Sequence, residues 1–184
     1  KILETAIFNL GMVEVVSYLK ATCSPNLIVK AGVLNNEQIA WYKKLYINGL
    51  GEFFYRNGLV EAMNIETFLK IEAEGNSTEP LLIDEILEGN LVPVGGGKDS
   101  NLTLEVLKGE NNTCYIVNPR GASYDSAKIA GYEDNNIYTP KRTLDARLLE
   151  LNKQGFLNGH TPFSAILAFS SYISAILLGK KYIV

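Results

Sequence analysis

The chain has 184 residues, of which 47% are hydrophobic and 20% charged, with a formal net charge of −3. That is the composition of a globular protein long enough to bury a real core, and its balance offers no basic field for gripping nucleic acid. A single histidine, His160, and two cysteines far apart, Cys23 and Cys114, exclude a Cys/His zinc cluster built within the chain, and they fit a reducing, cytoplasmic setting better than a disulfide-stapled one.

The chain begins at Lys1 and stops on the apolar triplet Tyr182-Ile183-Val184, which reads as a strand cut mid-course and leads us to expect a portion of a longer polypeptide. From the start, Ile2 to Lys20 has the character of a helix weakened by Gly11, and Pro25 breaks it. Leu27-Ile28-Val29 reads as a short strand stopped by Gly32. Asn35 caps a helix over Glu37 to Leu45, with Ile39, Tyr42 and Tyr46 on one face. Gly49 to Gly58 combines glycines, Glu52, three aromatics, Arg56 and Asn57, and suits either a tight structural turn or a ligand surface.

Gly75-Asn76-Ser77-Thr78-Glu79-Pro80 is the most linker-like hexapeptide, so the expected division is a mixed α+β part over 1–80 and a second domain over 81–184. In the second part Leu91 to Val94 is a strand, followed by a helix with Leu102 and Val106 on one stripe and Leu104 and Leu107 beside it. Cys114 to Val117 is the next strand, with Cys114 read as core. Arg147 to Gln154 is a helix stopped by Gly155. The uncharged stretch from Thr161 to Gly179 approaches the length of a membrane span, but its serines and its Thr-Pro start favour a helix buried on most of its faces, so no membrane partner is expected. Strands alternating with helices predict an α/β fold with an open, largely parallel sheet.

Between the first strand and helix of this second part lies Gly95-Gly96-Gly97-Lys98-Asp99-Ser100. Glycines there let backbone N–H groups converge on an anion, and the helix N-terminus adds partial positive charge. Lys98 supplies a point charge and Ser100 a hydroxyl. Asp99 suits an anion site only if a divalent cation bridges it to phosphate, which implies Mg²⁺. The spacing is neither that of a Walker loop nor that of a dinucleotide fingerprint.

From Gly96 to Ser100 the loop resembles the pyrophosphatase loop, Ser-Gly-Gly-x-Asp-Ser, of enzymes that cleave ATP between its α and β phosphates, with Gly95 in place of the leading serine. Three further segments narrow the resemblance: Ser17 to Pro25 (Ser-Tyr-Leu-Lys-Ala-Thr-Cys-Ser-Pro), Gly49 to Gly58, and Leu157-Asn158-Gly159-His160-Thr161-Pro162. Together, from about Phe8 to Val184, they are similar to the ATP-dependent UDP-N-acetyl-α-D-muramoyl-L-alanyl-L-glutamate epimerases of bacterial peptidoglycan synthesis, whose members are considerably longer. The resemblance implies a pyrophosphatase-loop type of sheet, and inversion of the terminal glutamate through an acyl-adenylate with release of AMP and pyrophosphate. Its small-molecule partners are ATP and the UDP-muramoyl dipeptide, with Mg²⁺ as cofactor.

The same resemblance places Gly95, Gly96, Gly97, Lys98 and Ser100 on the pyrophosphate and Asp99 on the metal, and brings Asn158, Gly159 and His160 to the nucleotide. His160 is equally an acid/base or a structural residue. Lys20 and Cys23 are candidates for proton transfer, against the alternative of a buried, inert thiol. Glu52, Arg56 and Asn57 face substrate in this reading, and Arg142 contacts a phosphate or carboxylate unless it is an exposed arginine at the start of a helix. Two rivals stand beside it: another adenylating pyrophosphatase-loop ligase or amidotransferase, and a non-catalytic nucleotide-binding domain. The oligomeric state is not legible in the sequence.

Overall fold

The computed structural model describes residues 1–64, 69–73, 82–83 and 86–184, so the linker-like hexapeptide at 75–80 lies outside the described residues. The chain forms two compact units. The first comprises Lys1–Leu82 and Leu144–Ile166, the second Ile83–Thr143 and Leu167–Val184.

In the first unit, α1 (Ile2–Thr22) runs unbroken through Gly11. A Cβ at Gly11 would meet nothing within 4 Å, so this glycine answers no packing need, and burial of Met12, Val13 and Val16 holds the turn around it. Its length and composition are those of a membrane-crossing helix, with 33% of the apolar window buried. It ends at Cys23, which adopts the left-handed conformation (φ 48°, ψ 42°) that normally selects glycine. After Pro25, β1 (Asn26–Val29) pairs in parallel with β2 (Lys70–Ala73), Asn26 opposite Lys70.

Asn35 caps α2 (Asn36–Gly49) in a reciprocal box with Gln38, each side chain accepting from the other residue's backbone N–H at 2.8 and 2.9 Å. The Tyr46 hydroxyl of α2 donates to the Met12 carbonyl at 2.5 Å and that of Tyr42 to Asn9 Oδ1 at 2.6 Å, bringing α1 and α2 together. The segment after Gly49, expected to be a tight turn or a ligand surface, is a helix rather than a turn, α3 (Gly51–Arg56). It buries Phe53 and Phe54 completely, so much of its aromatic character serves the core, while Tyr55 stays exposed.

The second unit is a four-stranded sheet in the order β5-β4-β3-β6, from β3 (Asn90–Pro93), β4 (Asn112–Tyr115), β5 (Ile137–Tyr138) and β6 (Tyr182–Ile183). Every strand pairing among the described residues is parallel, as expected of an α/β protein. Alternate residues face opposite layers. Val92 and Cys114 pack with Leu104 of α4 (Lys98–Val106) and Ala127 of α5 (Gly121–Ile129); Leu91 and Tyr115 pack with Ala175 of α7 (Phe163–Leu177). Both faces of this sheet are therefore covered by helix.

Two expectations change. Leu102 and Val106 are 65% and 72% exposed, whereas Leu104 is buried and Leu107 packs beside it. A helix of only nine residues lays a narrow stripe on the sheet, and Leu104 and Leu107 occupy it. Helix α7 buries Ile166, Ser171, Ser174 and Ala175 but leaves Phe163, Tyr172 and Leu177 exposed, so it is covered along one side rather than on most faces. Its Ser171 and Ser174 hydroxyls donate to the carbonyls of Leu167 and Ser170 one turn back, at 2.7 and 2.9 Å.

Candidate functional site

In the second unit, β3 leads directly into Gly95-Gly96-Gly97, and Gly97 is the N-cap of α4. From β3 the chain steps outward to β4 and then β5, and it returns to the other side of β3 with β6. The glycine loop thus leaves the carboxyl end of the strand at which the order reverses, the place where open parallel sheets bind ligands.

The three glycines are not equivalent. Gly96 has φ +82°, and a Cβ on it would lie 2.7 Å from the backbone of Ala122 and Ser123 at the start of α5. Only glycine fits there. A Cβ at Gly97 would meet nothing within 4 Å, and one at Gly95 would reach only Ser100 Oγ at 3.8 Å. The fold needs one glycine and the loop has three; at the other two the space where a side chain would stand is left open.

Ser100 Oγ accepts from the Gly95 N–H at 3.0 Å and closes the loop onto the first turn of α4. Lys98 and Asp99 are exposed on that turn. α4 has no side-chain cap bond at its N-terminus, whereas at the start of α5 Ser123 Oγ accepts from the Arg120 N–H at 3.3 Å, and both helices start beside Gly96. The arrangement can hold a polyphosphate through backbone N–H groups, Lys98 and the two helix ends.

In the first unit, the three other singled-out segments meet. Lys20, buried on the last turn of α1, donates its ammonium to the Gly159 carbonyl at 2.7 Å. Asn57, just after α3, donates Nδ2 to the carbonyls of Phe53 at 2.8 Å and Asn158 at 3.4 Å. The Gly159 α-carbon sits against Phe53, where a Cβ would approach the ring to 3.0 Å. Pro162 lies against Gly49, where a Cβ would come within 2.6 Å of Pro162 Cγ. The loop 157–162 is thereby fixed by contacts from α1, α2 and α3, and it carries His160 exposed.

A family model described as the MurL N-terminal domain matches residues 1–184. The chain belongs to that family. It is 32% identical over 183 residues to a UDP-N-acetyl-alpha-D-muramoyl-L-alanyl-L-glutamate epimerase from Xanthomonas oryzae pv. oryzae, covering 98% of this chain and 39% of the relative. Proteins of the same name from Salinispora tropica and a Micromonospora species are each 31% identical, over 92% and 91% of this chain and 36% of their own lengths. The chain thus spans well under half of the relatives it matches. No solved structure matches it.

In this member of the MurL N-terminal domain family, the residues expected at the nucleotide fall in both units: Gly95 to Ser100 in the second, Asn158, Gly159 and His160 in the first. Glu52 and Arg56 pair with each other at 3.3 Å, one turn apart on the exposed side of α3. Cys23 is partly covered at the end of α1, and burial pushes its thiol above the ordinary range, which favours the neutral form over a basic thiolate. Cys114 is fully buried mid-strand as expected, its thiol pushed up to about 11 by burial.

Arg142 is half-buried in the stretch after β5, in the second unit. The helix that follows, α6 (Ala146–Lys153), is capped by Asp145, which accepts from the Arg147 N–H at 2.7 Å. Sequence reasoning did not single out Asn118, whose side chain donates to the Arg142 carbonyl at 2.8 Å and accepts from the Arg142 N–H at 2.9 Å. Asn118 has φ 49°, and the Asn-Pro pair after β4 was its signal.

For a metal, the donor set beside the loop is the Asp99 carboxylate, and no group of three or more His, Cys, Asp or Glu side chains occurs among the described residues. That set fits Mg²⁺, which takes one or two carboxylates and completes its shell with phosphate oxygens and water, and does not fit an all-protein cage.

Proposed function

We propose that this chain is part of an ATP-dependent epimerase that inverts the terminal L-glutamate of UDP-MurNAc-L-Ala-L-Glu in cytoplasmic peptidoglycan precursor synthesis. The observation that carries the nucleotide half of this reading is the glycine loop at the point of strand reversal, open at Gly95 and Gly97 and closed at Gly96. The names of the relatives supply the reaction.

The chemistry explains why ATP is spent. Removing the α-proton of a free carboxylate would place a second negative charge on an anion. Converting that carboxylate to an acyl-adenylate cancels the charge and leaves an electron-withdrawing carbonyl, so the carbanion spreads into an enolate. Reprotonation on the opposite face inverts the centre, and water releases AMP.

In this scheme the backbone N–H groups of Gly96 and Gly97, the start of α4 and Lys98 hold the departing pyrophosphate and stabilise its charge. Asp99 anchors Mg²⁺, which neutralises phosphate charge when bound. The Asn158–Pro162 loop presents His160 for contact with nucleotide or for proton transfer, and Lys20 acts by fixing that loop at Gly159.

The test is chiral analysis of glutamate after the protein expressed from its own gene has been incubated with UDP-MurNAc-L-Ala-L-Glu, ATP and Mg²⁺. D-glutamate is expected, with AMP and pyrophosphate formed only when the dipeptide is present. Recovery of L-glutamate alone overturns the epimerase reading, and AMP formed without the dipeptide overturns the coupling.

A further inference from the structure

Arg120 occupies a position in the second unit for which the fold itself has no use for an arginine. It is the N-cap of α5, where serine, threonine, aspartate and asparagine are preferred and where a cation meets the positive end of the helix. Other groups complete that helix start. Ser123 Oγ donates to the Arg120 carbonyl at 2.8 Å, and the Ser123 N–H donates to the same carbonyl at 2.9 Å. Asp125, at the start of the second turn, brings its carboxylate back to the helix start, Oδ2 lying 3.7 Å from where a Cβ on Gly121 would stand, and so offsets the helix dipole. Arg120 is exposed, and among the described residues its guanidinium forms no ion pair.

Its backbone is held on both sides. Two residues earlier, the Asn118 N–H donates to the Pro140 carbonyl at 3.0 Å while the Asn118 side chain brackets the Arg142 backbone. Pro119 stiffens the step between them. Three residues later, Ser123 lies against the glycine loop, its nitrogen 2.7 Å from where a Cβ on Gly96 would stand. The Arg120 carbonyl is thus two short steps from Gly96, well inside the length of an arginine side chain. Lys98 stands at the same loop on the first turn of α4. Each of the two helix starts that adjoin the loop therefore carries a cation.

The two cations are not equivalent. An ammonium is a point charge, whereas a guanidinium offers a planar fork that matches two phosphate oxygens. We propose that Arg120 is the second phosphate-binding cation of this site and grips the β- and γ-phosphates of ATP and then the departing pyrophosphate. As the substrate carboxylate oxygen bonds to the α-phosphorus, the bond from that phosphorus to the bridging oxygen breaks, and pyrophosphate leaves with the electron pair. Negative charge grows on the leaving group beside Gly96, and a guanidinium carried on a fixed backbone meets it with little further ordering. This inference rests on the nucleotide half of the epimerase reading, since it names a further residue of that same site.

The experiment measures by calorimetry the affinity of the protein expressed from its own gene for ATP, AMP and inorganic pyrophosphate, each with Mg²⁺ and without the dipeptide. Wild type is compared with Arg120→Ser and Arg120→Lys. Arg120→Ser should weaken ATP and pyrophosphate about tenfold or more, and AMP less than about twofold, the scale of a lost charge-assisted pair confined to the β and γ phosphates. Arg120→Lys keeps the charge but not the fork and should fall between the two. The urea midpoint of Arg120→Ser should stay at or above that of wild type, because serine is the better N-cap. A residue that merely supported the fold would lower it.

Unchanged affinity for ATP and pyrophosphate in Arg120→Ser overturns the proposal, as does an equal loss for AMP or a loss accompanied by a lowered urea midpoint. The two readings fail separately. If wild type binds ATP and Arg120→Ser binds it equally well, the Arg120 assignment falls and the glycine loop stands. If wild type does not bind ATP at all, the nucleotide reading falls and this assignment falls with it.

Discussion

The glycine loop of the second unit and the Asn158–Pro162 loop of the first use glycine in opposite ways. At Gly49 and Gly159 the missing Cβ is replaced by the protein's own atoms, Pro162 and Phe53. At Gly95 and Gly97 the space stays open. One loop is packed from beneath and offers a side chain, His160; the other offers backbone. Glycine content alone does not separate a packing solution from a binding surface. What occupies the vacant Cβ position does.

The largest effect expected from testing this contrast is at Asp99. Asp99→Ala should reduce dipeptide-dependent pyrophosphate release by about 100-fold or more while leaving thermal melting unchanged, because the side chain is exposed. Full activity in that variant removes Asp99 from the chemistry. Next come the glycines. Gly96→Ala meets backbone at 2.7 Å and a positive φ together, and should cost about 2–4 kcal/mol by chemical denaturation. Gly97→Ala should change stability by less than ~0.5 kcal/mol yet weaken ATP, measured by calorimetry. Equal destabilisation by the two would erase the distinction between closed and open glycines.

In the first unit, Lys20→Met removes the ammonium from the Gly159 carbonyl and should cost about 1–3 kcal/mol. Faster limited proteolysis within 157–162 is the accompanying readout, and unchanged cleavage there would deny Lys20 its role in fixing the loop. The smallest effect is at Cys23. Cys23→Gly relieves a left-handed residue and should stabilise by up to about 1 kcal/mol. Since burial raises the Cys23 thiol, the folded protein carries less thiolate than the unfolded chain at any pH near 8, and alkylation there should be slower than in denaturant. Alkylation at the same rate in both would show an activated thiol.

Much of the second unit was legible because its signals are local. An apolar strand, three glycines and a helix occur in sequence and fold in place, and the Asn35 cap and the Gly155 stop are likewise written in a few residues. Helix α3 was hidden because Gly51 looks like a turn, although a Cβ there would meet nothing within 4 Å and the buried Phe53 and Phe54 hold the helix. Helix α5 opens on Gly121 behind an arginine, neither of them a usual helix-start residue, and its one local mark is Ser123, whose hydroxyl accepts from the Arg120 N–H at 3.3 Å. The parallel pairing of β1 with β2 and the meeting of Lys20 with Gly159 join residues far apart in the chain, and local pattern contains no information about such contacts.

The bond from Lys20 to Gly159 has a consequence for synthesis. The first unit includes 144–166, so it lacks an essential part until those residues leave the ribosome, by which time 83–143 has already emerged. At roughly 5–20 residues per second, α1 and α2 wait several seconds for their missing neighbours. During that interval Phe53, Leu50 and the buried face of α1 lack the 144–166 segment, and the sheet of the second unit still lacks β6, whose residues 182–183 emerge later again. Each unit waits on a segment made after most of the other, and the second, begun later, is also the later to have all its parts.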